Sequence, residues 1–286
     1  MDAHRERETP VTVAAVQLSS GTDVKGNVDV AIGLINQAAD AGATYVQLPE
    51  YFNYLGLAKG QPSVAESIPG PTIDTMAELA KKRQVVIHVG SLLEKSPEKT
   101  KCFNTSVLIE RDGSIKAIYR KIHLFDIDVP GAQTQKESNA IAAGRGMVVA
   151  NLGDFELGMT ICFDLRFPEL YRELSLNGAT VLAVPAAFNA TTGAAHWEIL
   201  LRARAIENHA FVVAAAQVGV TAEGIATYGH SLIIGPWGDV LAESTKDGPD
   251  MIVATIDLAQ VAQRRSQIDV LGLRRPDIYA SESSIT

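Results

Sequence analysis

The apolar positions along the chain change period several times, and each change predicts an element. Val11 to Leu18 is a nearly unbroken apolar run of strand length, and Asn27 to Ala41 carries Val28, Ala31, Ile32, Ile35 and Ala38 at helical spacing before Gly42 stops it. Thr44 to Leu48 is a second short strand that delivers Pro49 and Glu50, followed by Tyr51, Phe52 and Tyr54. A helix over Thr72 to Arg83 and a strand over Val85 to Leu93 come next. Alternating residues over Phe103 to Glu110 and Ser114 to Arg120 flank Arg111-Asp112-Gly113, which predicts a hairpin running directly into Lys121-Ile122-His123-Leu124-Phe125. Asp126 to Gly146 has no period, and a loop of that length in a compact domain is usually functional or disordered.

A second hairpin over Met147 to Leu152 and Phe155 to Ile161 leads into Cys162, and a helix follows it to Asn177, ended by Gly178. Thr180 to Val184 returns as a strand, Ala194 to Asn208 as the strongest helix, and Phe211 to Gln217, Gly229 to Ile234, Asp239 to Glu243 and Met251 to Ile256 as strands. The pattern repeats roughly in two halves, one ending at Glu50 and the other at Cys162. Strand–helix units mixed with hairpins predict an α/β chain of two sheets packed face to face, with helices on their outer faces.

Composition narrows the class. The chain has 286 residues, 47% hydrophobic and 20% charged, with a net charge of −8. Core material is ample, and an acidic balance lacks the basic face that nucleic-acid phosphates need. No linker divides the chain, so one domain over residues 11–286 is expected, after a flexible charged segment over residues 1–10. That segment lacks the apolar centre of a secretory signal, and no run approaches the roughly 18 apolar residues of a membrane span. Cys102 and Cys162 are the only cysteines; without a Cys-x-x-Cys pair they fit a reducing, cytoplasmic compartment. His123, His196 and His230 match no metal spacing, and Gly144-x-Gly146 is too short for a dinucleotide fingerprint, so neither a metal nor an organic cofactor is expected.

Candidate chemistry centres on Gly158 to Leu170. Cys162 falls at the strand-to-helix junction, at the carboxyl end of a sheet, with a helix amino terminus nearby to favour thiolate. Taken singly, the residues have plainer readings: a free cysteine is often a small buried hydrophobe, and Glu50 and Lys121 make an ordinary ion pair.

Leu48-Pro49-Glu50, Tyr119-Arg120-Lys121-Ile122-His123-Leu124 and the stretch around Cys162 occur in the order of the nitrilase superfamily of carbon–nitrogen hydrolases, which the chain resembles from Val11 to Tyr279. It most resembles the amidase branch that contains omega-amidase and deaminated-glutathione amidase. The carrying residues are Arg120 to Asp126, Cys162 to Leu170, Thr192-Gly193 with His196-Trp197-Glu198, Arg202-Ala203-Arg204-Ala205, and Tyr228-Gly229-His230-Ser231. Nitrilases typically place tryptophan and glutamate after the cysteine; Phe163 and Asp164 stand here, which argues against nitriles. The resemblance implies a four-layer α-β-β-α sandwich of the nitrilase type and no cofactor. It also implies a homodimer burying helices such as Ala194 to Asn208, with the tail around Arg274 to Tyr279 reaching the partner. The implied substrate is a small carboxylated molecule with a terminal amide. Glu50, Lys121 and Cys162 are the implied catalytic residues, with Glu137 in the place of a second glutamate that braces the lysine or positions water.

The chemistry follows from the residue types. A thiol with pKa about 8.5 needs a base to attack an amide near neutral pH, and Glu50 is the candidate. Lys121 and the Phe163 backbone amide would hold the oxyanion. Arg166 can clamp a substrate carboxylate or pair with Asp164 or Glu169. Tyr54 and Trp197, with Tyr51 and Phe52, are either pocket walls or core. Competing readings are an N-carbamoyl amide hydrolase, whose consecutive arginines are matched here by Arg166 alone, a non-catalytic binding protein that kept the fold, and a peroxide-reactive thiol at Cys162, for which Cys102 is a distant resolving partner.

Overall fold

The computed structural model describes residues 10–56, 60–127, 135–221 and 224–279. The charged start expected over residues 1–10 lies outside them except for Pro10, as do residues 128–134 of the expected loop.

The first half of the chain runs β1 (Val11–Gln17), α1 (Val24–Asp40), β2 (Tyr45–Gln47), α2 (Gln61–Val64), α3 (Pro71–Arg83), β3 (Val86–Lys95), β4 (Cys102–Ile109) and β5 (Ile115–Arg120). A small ribbon of β6 (Asp126–Ile127) and β7 (Gln135–Lys136) follows, then β8 (Val148–Asn151), β9 (Glu156–Met159), α4 (Pro168–Leu176), β10 (Val181–Ala183), α5 (Ala190–Asn208) and β11 (Phe211–Ala214). The chain closes with β12 (Val218–Val220), β13 (Ala226–Tyr228), β14 (Leu232–Ile234), β15 (Val240–Glu243), β16 (Asp250–Ile256), α6 (Ala259–Gln267) and α7 (Pro276–Tyr279).

Two six-stranded sheets result, ordered β16-β1-β2-β3-β4-β5 and β8-β9-β10-β11-β14-β15. Read in those directions, both have the same pairing: antiparallel, parallel, parallel, antiparallel, antiparallel. The chain thus builds one topology twice. The repeat is phased differently from the expected halves: β9 matches β1 and β10 matches β2, so Cys162 follows the first strand of its half and Glu50 the second of its own.

The layers follow from where the apolar stripes face. Ala31, Leu34, Ile35 and Ala38 of α1 and Ile73, Met76, Leu79 and Ala80 of α3 pack with Ala14, Val16, Val46 and Ile87 on the outside of the first sheet. Val13, Ala15 and Tyr45 on its other face join the core of the second sheet, whose outer side is covered by Leu170 and Leu174 of α4 and Trp197, Leu201 and Ala205 of α5. This is the four-layer α-β-β-α sandwich of the nitrilase type.

Several boundaries move for local reasons. The helix expected directly after Cys162 is a 3-10 turn over Cys162–Arg166 followed by α4 from Pro168; a proline lacks the N–H that the first turn leaves unpaired anyway. α5 starts at Ala190 rather than Ala194, capped by the Asn189 side chain, which accepts from Thr191 N. The strand expected to run to Gln217 stops at Ala214, and β12 and β13 form a hairpin of their own.

Candidate active site

Glu50 leaves β2 on a crossing held by β3. β3 bulges between Val89 and Leu92, where Ser91 N donates to Pro49 O (3.2 Å), Phe52 N to Ser91 O (3.1 Å) and Tyr51 N to Ser91 Oγ (2.9 Å). A Cβ at Gly90 would stand 2.0 Å from Leu48 O, so only glycine permits this approach. Tyr51 takes φ 55, a left-handed conformation that non-glycine residues adopt at a cost. The second half of the chain fixes the glutamate from the other side: Gln217 Nε2 donates to Glu50 O (3.0 Å) and Ala187 N to Glu50 Oε2 (2.8 Å).

Lys121 follows β5 directly. Its N donates to Asn104 O (2.9 Å) and its O accepts from Gly144 N (2.8 Å), so both sides of its backbone are fixed. Its ammonium lies 3.0 Å from Glu50 Oε1 and 2.9 Å from Glu137 Oε2, with the lysine and Glu50 side chains each 2% exposed and Glu137 11%. Glu137 also accepts from Tyr51 OH (2.8 Å) and Phe125 N (2.6 Å). Burial opposes both charges, but attraction reverses it. Glu137 and Glu50 hold the Lys121 ammonium well above its ordinary value, and the lysine with these donors holds Glu137 below the usual carboxylate range.

Cys162 begins its 3-10 turn at φ 49, and its N donates to Pro185 O (2.8 Å). Asp164, fully buried, pins this turn: it accepts from Ile161 N (2.8 Å), Tyr119 OH (2.7 Å) and His123 N (3.1 Å), and its Oδ1 lies 2.7 Å from His123 Nδ1. The nucleophile turn is thereby tied to β5 of the opposite sheet, next to Lys121. The structure corrects one expectation about the thiol. Burial, then the Glu50 carboxylate, push its pKa well above the ordinary value, and Lys121 opposes them only in part. Cys162 therefore rests as a neutral thiol, and any thiolate must form by transfer to a base.

A cavity of about 360 Å³ opens over Glu50, Lys121, Glu137 and Cys162, and Phe163 and Arg166 also line it. Arg166 pairs with neither Asp164 nor Glu169. Its guanidinium lies 5.1 Å from the Phe188 ring centroid and 5.9 Å from that of Phe163, with no carboxylate partner among the described residues. Tyr54 and Trp197, expected as pocket walls, do not line the cavity. Tyr54 packs in a small cluster with Leu93, Cys102 and Ile141, and Trp197 is wholly buried under α5, where Nε1 donates to His230 O (2.7 Å). Both are core because their helix or turn points them into a layer interface; of the early aromatics, Tyr51 reaches the cavity.

The arrangement brings together Glu50, Lys121, Glu137 and Cys162 from the ends of β2, β5, the 3-10 turn Glu137–Asn139 and β9. Against protein families, the chain matches carbon–nitrogen hydrolase over residues 12–266. The chain belongs to the carbon–nitrogen hydrolase family. This carbon–nitrogen hydrolase is 38% identical to omega-amidase NIT2 of Homo sapiens, over 96% of this chain and 98% of that protein. It is also 38% identical to the deaminated glutathione amidase of Bos taurus, over 94% and 83%. In fold it superposes on the C. elegans NitFhit protein with a TM-score of 0.89 at 38% identity, covering 94% of this chain and 66% of that longer one.

Sequence reasoning missed Asn104, Asp164 and the Ala187 amide. The signal for the first was the polar run Asn104-Thr105-Ser106 inside an otherwise apolar strand; the amide of Ala187 had none, because backbone donors carry no side-chain identity.

Proposed function

We propose that this hydrolase cleaves the amide of a small carboxylated substrate, the activity for which its omega-amidase and deaminated glutathione amidase relatives are named, and that it does so through a Cys162 thioester. The observation that carries this reading is the buried Lys121 ammonium 3.0 Å from Glu50, both lining one cavity with Cys162.

In the first half-reaction Glu50 takes the thiol proton, and the sulfur attacks the carbonyl carbon. The oxyanion is met by the Lys121 ammonium and the Phe163 amide, which stands in the first turn where helical N–H groups lack internal partners. Each such donor contributes about 3 kcal/mol to lowering the barrier. The C–N bond breaks as Glu50 returns the proton to the leaving ammonia or amine. In the second half-reaction Glu50 deprotonates water, hydroxide attacks the thioester, and the released sulfur recovers the proton. Glu137 keeps Lys121 charged and in place throughout. A cavity near 360 Å³ suits a small ligand, and the Arg166 guanidinium, which contacts His196 Nδ1 (3.4 Å) but no carboxylate among the described residues, suits its carboxylate.

The same reading extends to a single domain over residues 11–286, working in the reducing cytoplasm, where two free thiols persist. It extends also to a homodimer that covers Ile199 (69% exposed) and Ile206 (46% exposed) of α5. Among the described residues no helix is long and apolar enough to cross a membrane.

The test is product release from alpha-ketoglutaramate, deaminated glutathione, an N-carbamoyl amino acid and a simple nitrile, by wild type and Cys162→Ala. Turnover of one of the first two, lost in Cys162→Ala, is expected. Undiminished turnover by Cys162→Ala would overturn the mechanism, and turnover of the N-carbamoyl compound alone would overturn the substrate class.

A further inference from the structure

Asn104 lies on β4 with no exposed surface. Its amide nitrogen donates to Glu50 Oε1 (2.8 Å) and lies 3.3 Å from Glu137 Oε1, while its backbone carbonyl accepts from Lys121 N. One residue thus touches all three charged members of the cluster. Its carbonyl oxygen Oδ1 is buried and has no hydrogen-bond partner among the described residues. A buried unpartnered carbonyl costs stability, and the reverse orientation would set that oxygen against two carboxylates, so the acceptors dictate the sense of the amide. Packing alone gives no reason for an asparagine here.

The two oxygens of Glu50 have different partners. Oε1 accepts from Lys121 and Asn104. Oε2 accepts from Ala187 N, in the segment to which Cys162 is tied by its own N–H on Pro185 O, and Ala187 and Cys162 line the same cavity, so Oε2 is the oxygen on the thiol side. The last torsion of a glutamate is broad and roughly two-fold. A half-turn merely exchanges equivalent oxygens and restores the same arrangement; what a second donor on Oε1 opposes is rotation of the carboxylate plane to intermediate angles, at which neither oxygen faces the thiol squarely. A second cation in place of Asn104 would also hold that plane, but would stabilise the carboxylate and weaken it as a base.

We propose that Asn104 is a positioning residue that, with Lys121, holds the plane of the Glu50 carboxylate so that its second oxygen is presented to the Cys162 proton. This rests on the thioester reading above. The step it serves is a simple transfer: the S–H bond of Cys162 breaks, an O–H bond forms at Oε2, and the electron pair stays on sulfur. The titratable groups in contact with Asn104 are Glu50, Glu137 and Lys121; Tyr51 and Cys162 line the same cavity as these three, and Cys102 lies two residues back along β4.

Asn104→Leu keeps the shape and removes the donor. Asn104→Asp keeps the shape and offers a donor only while its carboxyl holds a proton. Both are compared with wild type and Cys162→Ala by kcat and KM against pH, and by the pH dependence of Cys162 alkylation with iodoacetamide, each normalised to the folded fraction. Asn104→Leu is expected to lose on the order of 100-fold in kcat, as a misplaced reacting group does, with KM little changed. Asn104→Asp is expected to regain activity relative to Asn104→Leu as pH falls and to lose it as pH rises, since only the protonated acid mimics the amide. Should Asn104→Leu not fold, the Asn104→Asp profile decides. Wild-type kcat in folded Asn104→Leu, or a wild-type pH profile in Asn104→Asp, would overturn the proposal while leaving Cys162 chemistry standing. Wild type that neither turns over substrate nor alkylates at Cys162 would remove both readings.

Discussion

Glu50 and Lys121 meet at 3.0 Å, Oε1 to Nζ, with each side chain 2% exposed, although 71 residues separate them in sequence. A bare buried lysine would lose its proton; this one keeps it because Glu137 closes on the other side. Lys121→Met should therefore leave two carboxylates facing each other without a cation. We expect a loss of about 3–5 kcal/mol in urea denaturation near neutral pH, and a fall in kcat/KM on the order of 100-fold or more. A variant as stable as wild type would show that the triad is not electrostatically coupled.

Asp164 joins the nucleophile turn to the far sheet through Tyr119 and His123. Asp164→Ala removes the acceptor of four buried or half-buried donors, and each orphaned donor costs about 1–3 kcal/mol. The expected result is a lower denaturation midpoint together with slower Cys162 alkylation in the protein that remains folded. Alkylation at the wild-type rate would mean that the turn holds its φ 49 conformation without the aspartate.

Stability should fall on the alkaline side. Burial, then Glu137, push the Cys102 thiol from 9.0 up to about 11, and Cys162 is displaced the same way. With folded pKa values raised, the unfolded chain gives up these protons first. The contribution is therefore complete below about pH 9 and is lost as pH climbs toward the folded values. Urea midpoints measured across that range should decline, and decline less steeply in Cys102→Ala. An unchanged slope in that variant would exclude the thiol as a cause.

Arg166 stacks over Phe188 with no carboxylate partner among the described residues. If it receives a substrate carboxylate, Arg166→Met should raise KM for carboxylated amides about 10-fold or more, in line with a lost charge-assisted hydrogen bond, and leave a neutral amide of similar size nearly unaffected. Equal effects on both substrates would assign Arg166 to packing.

Much of the fold could be read before any coordinates. Strand-length apolar runs and helical spacing located β1, α1, α3, the β4–β5 hairpin and the strand into Cys162 within a few residues, because each buries one face and that burial sets a period. The short β12–β13 hairpin and the ribbon of β6 and β7 escaped notice, since two- and three-residue strands are too short to show a period. For Tyr54 and Trp197 residue type leaves pocket wall and core both open, because aromatic rings serve core and cavity equally well.

The sequence by itself determined the class of this protein: an α/β chain with a glutamate, a lysine and a cysteine at strand ends, in the order of its family. Those identities are local, and a strand end is legible from the pattern that precedes it. Only the tertiary structure decided which charges meet, that Glu137 closes on Lys121, that Asn104 and Asp164 bridge the parts, and that Cys162 rests as a thiol. The reason is physical. Ion pairing and desolvation depend on distances of a few ångströms between residues from two separate sheets, and no period along the chain encodes how those sheets face one another.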